Sequence, residues 1–141
     1  VKQYELRTEK RFFYDISKSK NSANLMDRWI LSEIQRLIDF IQQEMHEYRL
    51  YSVLCQLEKF IDSLNKWYVQ LNRSRFRVLE DIDDIESGLQ TMFYLLFTLA
   101  KLMAPFTPFF SEFVYQTIKV LMPSYEDSVH YLEYPTVEFE F

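Results

Sequence analysis

The stretch LYSVLCQLEKFIDSLNKWYVQLNRSRFR, Leu50 to Arg77, decides the fold. Leu50, Leu54, Leu57, Ile61, Leu64, Tyr68 and Leu71 recur at spacings of four and three. That spacing is one stripe of a helix, with Val53, Phe60 and Trp67 along its edge. At about 100° per residue, Lys59, Lys66, Gln70, Arg73 and Arg77 fall close to the opposite side. One helix thus presents a core face and a back carrying several cations. Long basic side chains are commonly just solvated; the sharper reading is a surface that meets phosphates.

Helices of the same kind flank this one. Upstream, Asn24 suits an N-cap, with Asp27 as a partial capping box. Trp29, Ile30, Ile34, Leu37, Ile38, Ile41 and Met45 then form an apolar face. Asp27, Arg28, Glu33, Arg36, Asp39 and Glu44 fall mostly off it. HEYR, His46 to Arg49, is a short polar break, so the first two helices should form an antiparallel hairpin. Downstream, Arg75 would rotate onto the core face if the second helix continued, so regular helix should end near Arg73. Asp83 suits the N-cap of a third helix, with Glu86 at the capping-box position. Ile85, Leu89, Met92, Leu96, Leu99 and Met103 again alternate four and three. MFYLLF, Met92 to Phe97, is apolar nearly all round, which predicts burial on several sides. Pro105 ends that helix. Thr107 and Pro108 start a fourth, whose apolar side is Phe109, Phe110, Phe113, Val114, Ile118 and Leu121, and Pro123 stops it. The fold class predicted is all-α, an antiparallel four-helix bundle with extended N- and C-terminal segments. Residues 1–23 read as a linker, 24–122 as the helical domain and 123–141 as an extended C-terminal segment.

Composition narrows the chemistry. A chain of 141 residues suits one domain with a real core. The single glycine, Gly88, disfavours a phosphate-cradling loop or a Rossmann turn. No run of eighteen apolar residues predicts a membrane span, and VKQYELRTEKRFFYD at the N-terminus lacks the apolar core of a signal peptide. The chain begins at Val1 rather than Met, and we read it as a piece of a longer one. One cysteine, Cys55, excludes an internal disulfide. Net charge is −5, which argues against general nucleic-acid affinity. Its distribution is uneven: residues 49–77 hold six basic and two acidic groups, whereas residues 80–86 hold five acids and no base. A locally basic surface on an acidic chain remains open.

No catalytic constellation and no metal-ligand spacing of Cys or His is present. His46 and His130 are far apart in sequence. The acidic run Glu80–Glu86 reads as helix capping and dipole compensation. Trp67 is able to stack on a base, although a packed core tryptophan is the ordinary account. Asp15-Ile16-Ser17-Lys18-Ser19 matches three of five positions of the Lys-Met-Ser-Lys-Ser loop of class I aminoacyl-tRNA synthetases. The nucleotide fold that this loop serves is missing, so ISKSKNSAN, Ile16 to Asn24, reads as linker.

Longer motifs go beyond pattern. They are Asn24-Leu25-Met26-Asp27-Arg28-Trp29-Ile30-Leu31-Ser32; Phe60-Ile61-Asp62 with Trp67-Tyr68-Val69 and Asn72-Arg73; Met103-Ala104-Pro105-Phe106-Thr107-Pro108-Phe109-Phe110-Ser111-Glu112; and Ser128-Val129-His130-Tyr131-Leu132 with Tyr134-Pro135. In this order they resemble the anticodon-binding helical domain of the isoleucyl-tRNA synthetase family, class Ia, of the eukaryotic cytosolic type. Valyl and leucyl enzymes share the bundle but match SVHYLEYP less well. The resemblance implies a cytoplasmic domain that binds tRNA(Ile) and positions it for a catalytic domain of the same chain. It implies ATP with magnesium in the parent enzyme and no cofactor in this piece, which should catalyse nothing. Lys66, Trp67, Gln70, Arg73, Arg75 and Arg77 are the tRNA-binding candidates. Two departures touch them: the family usually has Asn at Lys66 and Arg at Gln70. A different class of reading is a helical protein-interaction bundle, docking a partner such as the rest of a multi-synthetase complex.

Overall fold

Asn24 begins the first long helix as its sequence suggests. It sits in extended geometry and its Oδ1 accepts the Met26 N–H at 2.9 Å. The structure, a computed structural model, describes residues 1–9, 11–15, 23–77, 81–122 and 126–137, without the side chains of Gln3, Arg7 and Arg77. Its helices are α1 (Lys2–Thr8), α2 (Leu25–His46), α3 (Leu50–Ser63), a π-helical segment (Leu64–Val69), α4 (Arg73–Arg77), α5 (Ile82–Met103), α6 (Pro108–Lys119) and a 3₁₀ turn (Val129–Tyr131). Among the described residues the chain is all-α, built of packed helices as the periodicities predict. The two short helices are additions to the four expected. Residues 16–22 of the linker expected over Ile16–Asn24, the Pro123 stop and the last four residues of the tail lie outside the described residues.

The chain divides into two compact units: Val1–Asn21 with Ser87–Tyr134, and Ser22–Glu86 with Pro135–Phe141. The second unit is a hairpin of α2 against α3 and the π segment. Ile30, Leu31, Ile34, Leu37, Ile38 and Ile41 line one wall, close to the predicted face. The opposite wall departs from the expected stripe. Val53, Leu57, Phe60, Leu64 and Tyr68 are buried, while Leu50, Leu54, Ile61 and Leu71 are exposed. Val53 and Phe60, assigned to the edge, are therefore central. Four of the seven stripe residues lie outside the core because the face is rotated in α3 and shifted again by the π segment. The five side chains actually buried contribute roughly 1.5–3 kcal/mol each, gross, most of it offset by chain ordering.

The hairpin turn is clamped by charge. Tyr48 takes φ 59°, the left-handed region that disfavours a side chain, and Arg49 folds back onto α2. Arg49 Nε donates to Glu44 Oε2 at 3.0 Å, and the Ser52 hydroxyl donates to the same carboxylate. Glu44 is thus buried, not off the face as its position suggests. The bonds from Arg49 and Ser52 outweigh burial and hold its carboxyl down at about 2, from an ordinary 4.5. A depressed carboxylate stabilises the fold fully above its unfolded pKa. That contribution should be lost as pH falls from about 4.5 toward 2. An NMR titration of the Glu44 carboxyl should show a midpoint near 2, rising toward the ordinary range in Arg49→Ala. A wild-type midpoint in the ordinary range would remove the clamp.

In the first unit, residues read as aperiodic linker carry structure. Tyr4 and Phe12 are buried, with rings 6.2 Å apart, and Tyr14 stacks on Phe93 of α5 at 4.5 Å. Gln90, buried on α5, donates to the Phe13 carbonyl at 2.7 Å and accepts the Asp15 N–H at 2.9 Å. Phe93, Tyr94, Leu95, Phe97, Leu99, Ala100 and Leu102 are all buried, as expected for MFYLLF. Leu96, placed in the core by spacing, is only half-buried, and Leu95 takes the fully buried position. The N-cap of α5 is Asp81 rather than Asp83: its Oδ1 accepts the N–H groups of Asp83 and Asp84 at 3.1 and 3.2 Å. Thr107 and Pro108 start α6 as predicted. The buried side of α6 is Ser111, Tyr115 and Ile118, however, and Phe109, at 91% exposure, Phe110 and Phe113 point outward.

Candidate nucleic-acid interface

The candidate residues sit where the second helix changes its pitch. Leu64–Val69 adopts the wider π form, which takes an extra residue into the turn. After Leu64 the inward positions become Tyr68 and Asn72 instead of Leu71. Trp67 consequently leaves the core edge and stands 59% exposed, the opposite of the ordinary expectation for a tryptophan there. Lys66, Gln70 and Arg73 are exposed beside it. Lys66 Nζ pairs with Asp62 Oδ2 at 2.5 Å across one turn; this surface pair is worth little and competes weakly with a phosphate. The arrangement offers an aromatic face for stacking and two cations for backbone phosphates.

Arg75 is placed differently. Helical geometry resumes in α4, and its side chain turns inward, as continued helix requires, to 9% exposure. Arg75 Nη1 and Nη2 donate to Asp27 Oδ1 and Oδ2 at 2.8 and 3.0 Å. Arg75 Nε and Nη2 donate to the two carboxylate oxygens of Asp84, each at 2.6 Å. Burial pulls the guanidinium pKa down, but the bonds and charges of Asp27 and Asp84 outweigh it and leave it above its ordinary value. Asp27 is fully buried and also accepts the Tyr68 hydroxyl at 2.6 Å. It is therefore the hub of a buried network, a role beyond the partial capping box its position suggests. Arg75 spends its charge inside the protein, and the side chain of Arg77 is among those the structure does not describe.

Sequence reasoning missed Asp27, Tyr68 and Asn72 as a set. A signal was available: an arginine rotated onto a core face needs a buried carboxylate. Sequence alone does not say which of the many acids supplies it. Among the described residues, no group of three or more His, Cys, Asp or Glu is placed to hold a metal ion, and no helix is long and apolar enough to cross a membrane.

A sequence profile of the anticodon-binding domain of tRNA ligases matches residues 27–141, from the buried aspartate onward. The chain belongs to that family. It is 42% identical over 138 residues to the cytoplasmic isoleucine–tRNA ligase of Mus musculus and 43% identical over 138 residues to that of Saccharomyces cerevisiae. These alignments cover 94% and 92% of this chain. The cytoplasmic isoleucine–tRNA ligase of Arabidopsis thaliana is 45% identical over 117 residues, 83% of the chain. The chain spans only 10 to 13% of the length of these relatives.

Within this anticodon-binding domain, the Ser128-Val129 motif has a physical role. Glu112 on α6 accepts the Ser128 hydroxyl at 2.9 Å, the Val129 N–H at 3.0 Å and the Gln116 amide at 2.6 Å. Burial raises the Glu112 pKa, but these bonds and the charge of His130 outweigh it, leaving the carboxyl below its ordinary value. The segment after α6 is thereby bound to it, with Tyr134 Oη reaching the Leu102 carbonyl at 3.3 Å. Burial pushes the Tyr134 hydroxyl up to about 12. No strand forms there among the described residues.

Proposed function

We propose that this chain is the tRNA-binding domain of an isoleucine–tRNA ligase, acting in the cytoplasm on tRNA(Ile). A catalytic domain of the same chain, using ATP and magnesium, would join isoleucine to the tRNA held here. The observation that carries the reading is the exposed π-helical turn inside a family-matched domain: Trp67 is displayed beside Lys66, Gln70 and Arg73. Lys66 and Arg73 contact backbone phosphates, Trp67 stacks on a base and Gln70 contributes polar contact; Arg77 is a candidate from the sequence alone. Arg75 acts from inside, through the turn it braces. The tRNA contacts are assigned to the helical region 24–122, with 1–23 and 123–141 on either side of it in the chain.

A second reading, docking to a protein such as a multi-synthetase assembly, draws on one observation, the outward row Phe109, Phe110 and Phe113. The test of the leading reading is charge reversal in the full-length protein. Lys66→Glu with Arg73→Glu should weaken tRNA binding about tenfold or more and flatten the salt slope by roughly one per lost phosphate contact. The melting temperature should barely move, because both residues are exposed. Binding that ignores the double reversal would take this ridge out of the RNA interface.

A further inference from the structure

We propose that the buried Asp27–Tyr68 hydrogen bond is a positioning element, holding Leu64–Val69 in its π form so that Trp67 and Lys66 are displayed to the ligand. The ligand assignment rests on the function proposed above; the positioning does not.

Two registers compete in this helix. If α3 continued as regular α-helix after Phe60 and Leu64, the next inward position would be Leu71, with Trp67 and Tyr68 flanking it on either side. Leu71 and Trp67 are large and apolar, and burying them would be favourable. The structure instead leaves Trp67 and Leu71 exposed, at 59% and 58%, and turns Tyr68 and Asn72 inward. A π turn is also rarer and less favourable than an α turn. Something outside the helix must therefore select this register.

The selecting contacts are polar and come from other elements. The Tyr68 hydroxyl reaches Asp27 Oδ1 at 2.6 Å, across 41 residues. Arg75 holds Asp27 in place from the opposite side at 2.8 and 3.0 Å. Asn72 secures the turn beyond: its Nδ2 and its backbone N–H both donate to the Tyr68 carbonyl, at 2.9 and 3.1 Å. Returning to the α register would turn the Tyr68 ring toward the edge of the core and cost its hydrogen bond to Asp27, a bond to a charged acceptor in a dry site. The exposed tryptophan is thus the outward consequence of an inward hydrogen bond. A helix that gives up apolar burial to keep a polar register matches the pattern of strain retained at functional sites.

Tyr68→Phe removes the hydroxyl and keeps the ring, so the core remains filled. In the full-length protein, hydroxyl-radical labelling read by mass spectrometry reports Trp67 and Leu71 directly, with Phe109 on α6 as an internal reference. Labelling of Trp67 and Leu71 should fall about two-fold in Tyr68→Phe, as side chains pass from exposed to half-buried, and Phe109 should be unchanged. Asp27→Asn, which retains an acceptor, should lie between the variant and the wild type. Unchanged Trp67 labelling in folded Tyr68→Phe would overturn the proposal. The same samples are then titrated with a tRNA(Ile) transcript. Weakened binding together with reduced labelling is the expected result. Reduced labelling with undiminished tRNA affinity would uphold the positioning and defeat the RNA assignment of the face.

Discussion

Arg75→Ala is expected to destabilise the Ser22–Glu86 unit by about 3–5 kcal/mol, the cost of breaking a buried ion pair from one side. Arg75 is 9% exposed and divides its donors between Asp27, which has no solvent access, and Asp84, which is 36% exposed. The alanine leaves the Asp27 carboxylate buried with far fewer donors. Arg75→Lys should recover little, since one ammonium cannot reproduce the forked geometry toward two carboxylates. The control is Arg73→Ala, an exposed neighbour that should change stability by under about 0.5 kcal/mol. Urea unfolding of the three variants measures this. Similar midpoints for Arg75→Ala and Arg73→Ala would mean that the Asp27–Arg75–Asp84 network contributes nothing, and that Arg75 stands with its neighbours on the surface.

Leu95→Ala carries the second large effect, about 2–5 kcal/mol. Leu95 is fully buried on α5, whereas Leu96 is half-buried. Leu96→Ala should therefore cost clearly less, because fewer contacts are lost and solvent fills part of the space. Thermal melts of the pair read the register of α5. Equal losses would place the two leucines on a shared boundary, and a larger loss for Leu96 would restore the stripe inferred from spacing alone.

The α5 pair shows why helices were legible and their facing was not. Spacings of three and four mark a helix whichever side is buried, so the four long helices follow from the sequence. When a helix is apolar nearly all round, as at Met92–Phe97, periodicity cannot choose between adjacent positions. On α6 the phenylalanines looked like a core side, yet Ser111 and Tyr115 are inward and Phe109 outward. There the deciding contacts are polar: Tyr115 Oη donates to the Glu126 carbonyl at 2.6 Å, and Glu112 holds the Ser128 segment. Hydrophobic patterning has no sight of either.

The candidate site divides the same way. By itself the sequence determined an all-α chain, the caps at Asn24 and Thr107, the hairpin break at His46–Arg49 and the exposure of Lys66, Gln70 and Arg73. Each depends on neighbours within a turn or two along the chain. Only the tertiary structure decided that Trp67 faces solvent and Arg75 does not. Beside both lies Asp27, which pairs with Tyr68, 41 residues on, and with Arg75, 48 residues on. A buried carboxylate recruits a hydroxyl and a guanidinium from the far end of a hairpin, because a carboxylate without solvent must be met by donors from the protein, and the apolar pattern of a helix carries no record of them.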